Sequence, residues 1–147
     1  MKQIEIHSLK ETQEFGEKLG SLLTKGQCMT LTGDLGAGKT TLTKAIGKAM
    51  GVSKTINSPT FTILKIYQGR LPLYHIDAYR LEGLHQDLGF EEMLEGDGIA
   101  IVEWPEFIQE ILPTEHLSIK ITNGTDEMRN FEINAIGKQY EEILEKL

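Results

Sequence analysis

The sequence predicts an α/β fold: a mixed β-sheet with flanking helices, folded as one compact domain over residues 1–147. Three observations predict it. Runs of β-forming residues alternate with stretches of helical periodicity along the chain. Two pairs of β-rich runs lie close enough to be hairpins, which makes the sheet mixed rather than all-parallel. The chain has 147 residues, 39% hydrophobic and 25% charged, which is the size and composition of one domain with a core of its own.

Residues 2–7 alternate as a short strand. Ser8 followed three positions later by Glu11 is a capping-box pattern, and it opens a helix with Phe15, Leu19, Leu22 and Leu23 as its apolar stripe. Gly26 closes that unit, and residues 28–32 read as a buried strand. After a glycine-rich turn, Leu42, Ala45, Ile46, Ala49 and Met50 mark a second helix that Gly51 ends. Thr60 to Tyr67 and Leu71 to Ile76 flank Gln68-Gly69-Arg70 as a hairpin. Leu84 to Glu95 is read as helical despite Gly89. Residues 98–103 form a buried strand, and Pro105 suits the first turn of a short helix with Phe107, Ile108, Ile111 and Leu112 on its apolar side. Leu117 to Ile121 and Phe131 to Ile136 make a second hairpin, and a terminal helix carries Tyr140, Ile143, Leu144 and Leu147.

Composition narrows the function classes. No apolar run approaches the roughly 20 residues of a membrane span, and the first residues lack the apolar core of a secretory signal, so the cytoplasm is the expected location. The single Cys28 excludes an internal disulfide and a multi-cysteine zinc site. A net charge of −7 argues against a protein that coats nucleic acid. Between Leu35 and Ile76 there is no acid but six basic residues, whereas between Leu81 and Ile119 there are ten acids and no base. Two readings are open: two solvated faces of opposite sign, or a basic block that holds an anion beside an acidic block that docks a partner.

Gly33-Asp34-Leu35-Gly36-Ala37-Gly38-Lys39-Thr40 matches G-x-x-x-x-G-K-[ST] at every fixed position, between a buried strand and an amphipathic helix. Glycines let successive N–H groups turn into one concavity, and the helix N-terminus adds positive potential, so phosphate is the expected ligand. The expected nucleotide contacts are Gly33, Asp34, Leu35, Gly36, Ala37, Gly38, Lys39, Thr40 and Thr41, with Lys39 on the outer phosphates and the Thr40 hydroxyl on Mg²⁺. A phosphate loop also needs a carboxylate near the metal. Glu103 ends an apolar strand and is assigned to Mg²⁺, directly or through water; Asp77 then orients the attacking water or carries the nucleotide state. Ser58-Pro59-Thr60 reads either as a switch that senses phosphate and metal or as ordinary turn chemistry. Arg80 could neutralise charge in the transition state or pair with Glu82. His75 is read as a packed or solvated strand residue, and Trp104 as a packing residue or as a wall of the cleft.

With Asn57-Ser58-Pro59-Thr60-Phe61, His75-Ile76-Asp77-Ala78-Tyr79-Arg80 and Val102-Glu103-Trp104-Pro105 beside the phosphate loop, the chain resembles the TsaE (YjeE/YdiB) family over essentially its whole length. The resemblance implies a P-loop NTPase-like fold. It also implies a bacterial Mg²⁺-dependent ATPase that works with TsaB and TsaD in forming threonylcarbamoyladenosine beside the anticodon of tRNAs, touching tRNA only through that complex. By the same similarity Thr40 and Glu103 are metal-site residues, Lys39 a phosphate contact, Ser58 and Thr60 the first switch and Asp77 the second, with Thr12, and less directly Arg129, near the adenine. Two alternatives use the same cradle: a small kinase that passes the γ-phosphoryl group to an acceptor, and an ATP-gated adaptor with incidental turnover. With only three arginines, Arg70, Arg80 and Arg129, the chain is poor in the guanidinium forks that kinases of this kind use to clamp phosphates.

Overall fold

A computed structural model describes residues 1–33, 38–56, 64–81, 90–94, 96–126 and 128–147. Its centre is one seven-stranded sheet made of β1 (Lys2–Ile6), β2 (Cys28–Gly33), β3 (Leu64–Gln68), β4 (Pro72–Asp77), β5 (Ile99–Glu103), β6 (His116–Asn123) and β7 (Arg129–Ile136), in the order β1-β7-β6-β2-β5-β4-β3. The inner four strands, β6, β2, β5 and β4, run parallel, while β7, β1 and β3 are antiparallel to their neighbours. The sheet is therefore mixed, and both hairpins form. The part of the first hairpin expected over residues 60–63, and the acidic helix expected over residues 84–89 and 95, lie outside the described residues. Within that acidic stretch, helix α3 covers Phe90–Leu94. No helix among the described residues is long and apolar enough to cross a membrane.

Strand alternation sorts the side chains into two layers. Met29, Leu31, Leu73, Ile99, Ile101, Ile119 and Phe131 face helices α1 (Leu9–Leu22), α2 (Lys39–Ala49) and α4 (Lys138–Lys146) in the larger core. On the other side Cys28, Ile76, Ala100 and Val102 pack against Leu94 and Ile108. Burial there pushes the Cys28 thiol up to about 12, so it stays protonated and unreactive. The Tyr140 hydroxyl oxygen accepts the Cys28 backbone N–H at 2.8 Å and pins α4 to the sheet.

Local signals explain the helix ends. The Ser8 side chain accepts the Glu11 N–H at 3.2 Å, while the Glu11 carboxylate takes the His7 N–H at 2.6 Å, one residue before the partner that a capping box normally uses. After α2, the Gly51 N–H donates to Lys48 and the Val52 N–H to Gly47, closing the helix as a Schellman motif. The short helix expected at Pro105 is a single 3-10 turn, Pro105–Ile108. Ile111 and Leu112 lie beyond it in a turn on the Ile108 carbonyl, and Pro113, which has no N–H to donate, stops the run.

Helices α1 and α2 approach closely because α1 carries Gly16 and Gly20 at the contact. A Cβ on Gly20 would lie 2.7 Å from the Ile46 carbonyl oxygen and 2.8 Å from the Ala49 Cβ. Arg70 in the hairpin turn then ties the pair: its guanidinium donates to the Gly20 and Leu23 carbonyls at 2.7 and 2.8 Å, and its backbone N–H to Met50. Gly20→Ala gains helix propensity of about 1 kcal/mol but meets backbone that cannot yield. The expected result is a net loss of stability within the roughly 1–3 kcal/mol range of core overpacking, read as a lower denaturation midpoint in urea.

Candidate functional site

The carboxyl ends of the parallel strands bring the predicted residues to one edge of the sheet. Gly33 ends β2, Asp77 ends β4 and Glu103 ends β5, and Asp77 and Glu103 are register partners on adjacent strands. Their shared parity with Leu73 and Ile101 aims both toward the α2 layer. Open α/β sheets bind ligands outside this edge. Gly38 caps α2 with φ +100, a left-handed geometry that an L side chain resists, and among the described residues no atom beyond its chain neighbours and its own helix lies within 4 Å of where a Cβ would be. Asp34, Leu35, Gly36 and Ala37 lie outside the described residues.

Lys39, at the first turn of α2, is 8% exposed. Its Nζ donates to the Gly33 carbonyl at 2.9 Å, lies 3.7 Å from Glu103 Oε1, and sits 4.9 Å from the centroid of the Trp104 ring. A buried ammonium needs such company, since an unpaired charge there is costly. Glu103, equally buried, has its Oε2 2.7 Å from His75 Nε2. His75 is fully buried; of the two readings for a strand histidine, solvation is excluded.

Trp104 does more than pack. Its backbone is left-handed, φ 57 and ψ 53, a conformation that costs a non-glycine residue about 1–3 kcal/mol. That turn ends β5 and folds the indole back over Lys39, where Tyr79 at 5.1 Å and Phe107 at 6.3 Å complete an aromatic cluster. The sequence signal was present in Glu103-Trp104-Pro105, but the left-handed turn that aims the ring is a backbone property that composition does not announce.

Asp77 is half-buried and accepts the Tyr79 N–H at 3.1 Å. Burial raises its carboxyl above the ordinary value and the negative charge of Glu103 adds to this, while the Tyr79 N–H, Lys39 and His75 oppose it. A carboxyl raised on folding favours the folded state when protonated. That stability is present below the ordinary carboxyl value and lost as pH rises through the raised one. Asp77→Asn keeps the acceptor for Tyr79 and removes the charge. Its unfolding temperature is therefore expected to exceed that of the wild type at neutral pH, with the gap closing as pH falls toward about 4.

The donors present suit Mg²⁺. Glu103 and Asp77 offer hard carboxylate oxygens, and the half-buried Thr40 hydroxyl makes no hydrogen bond among the described residues. Those residues contain no group of three or more His, Cys, Asp or Glu side chains able to cage a metal. Mg²⁺ rarely uses such a cage; it takes one or two carboxylates and completes its shell with water and substrate phosphates.

The remaining predicted residues are dispersed. Thr41 lines a cavity of about 300 Å³ between α1 and α2 with Leu9, Gln13, Glu17, Lys44 and Lys48; Lys48 pairs with Glu17 at 3.1 Å. Sequence reading missed this cavity, because nothing local says that α1 lies across α2. Thr12, 6% exposed, is buried in α1 and is not among the residues lining that cavity. Arg129 faces Ile6 in the β1–β7 register, at the strand end from which α1 departs, and its guanidinium donates to the Asp126 and Met128 carbonyls. Ser58, Thr60 and Glu82 lie outside the described residues, as does the side chain of Arg80.

Comparison with known proteins gives a consistent picture. A family model described as threonylcarbamoyl adenosine biosynthesis protein TsaE matches residues 6–131. The chain is 43% identical over 150 aligned residues to the tRNA threonylcarbamoyladenosine biosynthesis protein TsaE of Bacillus subtilis, covering 100% of this chain and 95% of the relative. It is 40% identical to the protein of the same name from Treponema pallidum, over 78% of this chain and 86% of that one. The crystal structure of YdiB from Bacillus subtilis superposes with a TM-score of 0.80 at 36% identity, covering 99% of this chain and 93% of that structure.

Proposed function

The chain belongs to the TsaE family, and on that premise we propose that it is a Mg²⁺-dependent ATPase acting with TsaB and TsaD in forming N6-threonylcarbamoyladenosine next to the anticodon of tRNAs. The observation that carries the proposal is the buried Lys39–Glu103 pair, 3.7 Å apart, at the mouth of a phosphate-loop sequence. A lysine and a strand-tip carboxylate so placed are what a triphosphate with its metal requires. The whole chain acts as one ATPase domain in the cytoplasm, and its net charge of −7 suits a subunit that leaves tRNA binding to its partners.

In this reading the phosphate-loop amides and Lys39 hold the β- and γ-phosphates, and Thr40 with Glu103 would hold Mg²⁺, which when bound neutralises charge on the phosphate oxygens. Asp77 orients a water for in-line attack on the γ-phosphorus, or reports the nucleotide state. The bond from the γ-phosphorus to the bridging oxygen breaks, and ADP and phosphate leave. Ser58 and Thr60 act as a switch on the γ-phosphate, with Thr12 and Arg129 near the base.

Phosphate release from Mg·ATP by the purified chain, alone and with TsaB, TsaD and tRNA, tests the proposal. Free inorganic phosphate is expected, faster with the partners. Recovery of the γ-phosphoryl group on an acceptor would make the protein a kinase. Undiminished multiple-turnover tRNA modification with a non-hydrolysable analogue would make it an adaptor.

A further inference from the structure

His75 is a buried polar group for which the ATPase chemistry above has no use. It lies on β4 two residues before Asp77, on the same face, fully excluded from solvent. Its Nε2 meets Glu103 Oε2 at 2.7 Å across the β4–β5 pair. Its Nδ1 is buried without a partner among the described residues.

Hydrogen accounting fixes what this contact is. Glu103 faces the Lys39 ammonium through Oε1, and an ionised carboxylate only accepts. The hydrogen in the 2.7 Å contact therefore sits on Nε2. Nδ1 finds no partner among the described residues, so Nε2 makes the one polar contact of the imidazole there. A leucine would fill the same space without stranding a nitrogen. What the imidazole adds at this position is a single directed donor, aimed at one oxygen of one carboxylate.

We propose that His75 is a positioning residue that holds Glu103 Oε2 so that Oε1 alone is presented to Lys39 and to the metal of the phosphate site. Glu103 is a long side chain at a strand tip, with freedom about three torsions. Its first oxygen is held at 3.7 Å by a lysine that is expected to engage phosphate once nucleotide binds, so Lys39 cannot be the group that keeps the carboxylate aimed in the loaded state. His75, anchored in the strand and unable to reorient in a closed core, can. Hydrogen bonds from an outer shell to a ligating side chain commonly govern metal affinity in this way. The inference rests on the ATPase reading, because it takes Glu103 as the metal carboxylate.

The geometry supplies its own control. A glutamine amide nitrogen reaches about as far from the backbone as the imidazole Nε2, whereas an asparagine amide nitrogen reaches only as far as Nδ1. His75→Gln, His75→Asn and His75→Ala are compared by ATP binding in EDTA and across a magnesium titration, followed through the fluorescence of Trp104, the only tryptophan. Thermal unfolding shows which variants are folded. Metal-free ATP affinity is expected to be unchanged in all three. His75→Asn and His75→Ala are expected to need about 10–100-fold more Mg²⁺ for half-maximal effect, and His75→Gln to restore most of the loss. If His75→Ala does not fold, the glutamine and asparagine variants, both polar replacements at one core position, carry the comparison. A purely structural histidine would not rank glutamine above asparagine in magnesium demand, and equality of those two overturns the proposal. So does wild-type magnesium dependence in His75→Asn or His75→Ala while the wild type itself responds to Mg²⁺. A wild type that binds ATP equally in EDTA and in Mg²⁺ would overturn the metal-site reading together with this one.

Discussion

Lys39→Ala is expected to abolish productive ATP binding. Lys39 is buried, and its ammonium already bridges the Gly33 carbonyl and Glu103. Truncating one member of a desolvated charge pair costs about 2–5 kcal/mol, roughly 30- to 4,000-fold in affinity. The same truncation leaves Glu103 buried with His75 as its remaining described polar partner, so the variant is also expected to unfold at lower denaturant. A second change separates the two effects. Adding Glu103→Gln to Lys39→Ala removes the uncompensated charge and is expected to recover part of the stability and none of the nucleotide affinity. Calorimetric titration with Mg·ATP and urea unfolding of the three proteins check both halves. Wild-type affinity in Lys39→Ala would remove Lys39 from the phosphate site.

Glu103→Gln alone is the second large effect. Glutamine keeps the shape of the side chain and an amide oxygen to accept the hydrogen on His75 Nε2, while the charge toward Lys39 and the metal is lost. Loss of one preorganised charge interaction of this kind is worth about 3–4 kcal/mol, or about 10²–10³ in rate. Turnover of Mg·ATP is therefore expected to fall by that factor; because Lys39 is left buried without its counter-charge, the unfolding midpoint is expected to fall as well, and an unchanged circular-dichroism spectrum distinguishes the variant from one with a damaged core. Wild-type turnover in Glu103→Gln would detach the carboxylate from the metal.

Much of this was legible in the sequence, for a physical reason. A phosphate loop is built from contiguous backbone, so its glycines, lysine and threonine appear in register between Thr32 and Thr41. Glu103 was legible because an apolar strand buried on both faces ends at the edge where ligands bind, and the first polar residue there has a defined position. Pairings between distant segments were not legible. That His75 reaches Glu103 depends on β4 lying beside β5 with Asp77 opposite Glu103, and no local pattern encodes that strand order. The indole over Lys39 depends on a left-handed residue at Trp104, where glycine or asparagine would have been the usual signal. The part played by Gly16 and Gly20 depends on α2 lying against them, which no pattern within α1 encodes. The helix at Pro105 shrank to one 3-10 turn because Ile108 is already seated in the core beneath β5 and Pro113 closes the segment.

The closeness of these side chains also explains why one substitution here touches several properties. Lys39, Glu103, His75, Trp104 and Asp77 share a small edge of the sheet, so the effects of single variants there on stability and on magnesium-dependent nucleotide binding are not expected to add.

The most direct measurement is a crystal structure with Mg²⁺ and a non-hydrolysable ATP analogue. The triphosphate is expected over residues 33–40, with Lys39 Nζ drawn from the Gly33 carbonyl to the phosphate oxygens, and Glu103 Oε1 turned to the metal with Oε2 still held by His75. A nucleotide bound elsewhere, with Lys39 still on Gly33, would contradict this expectation.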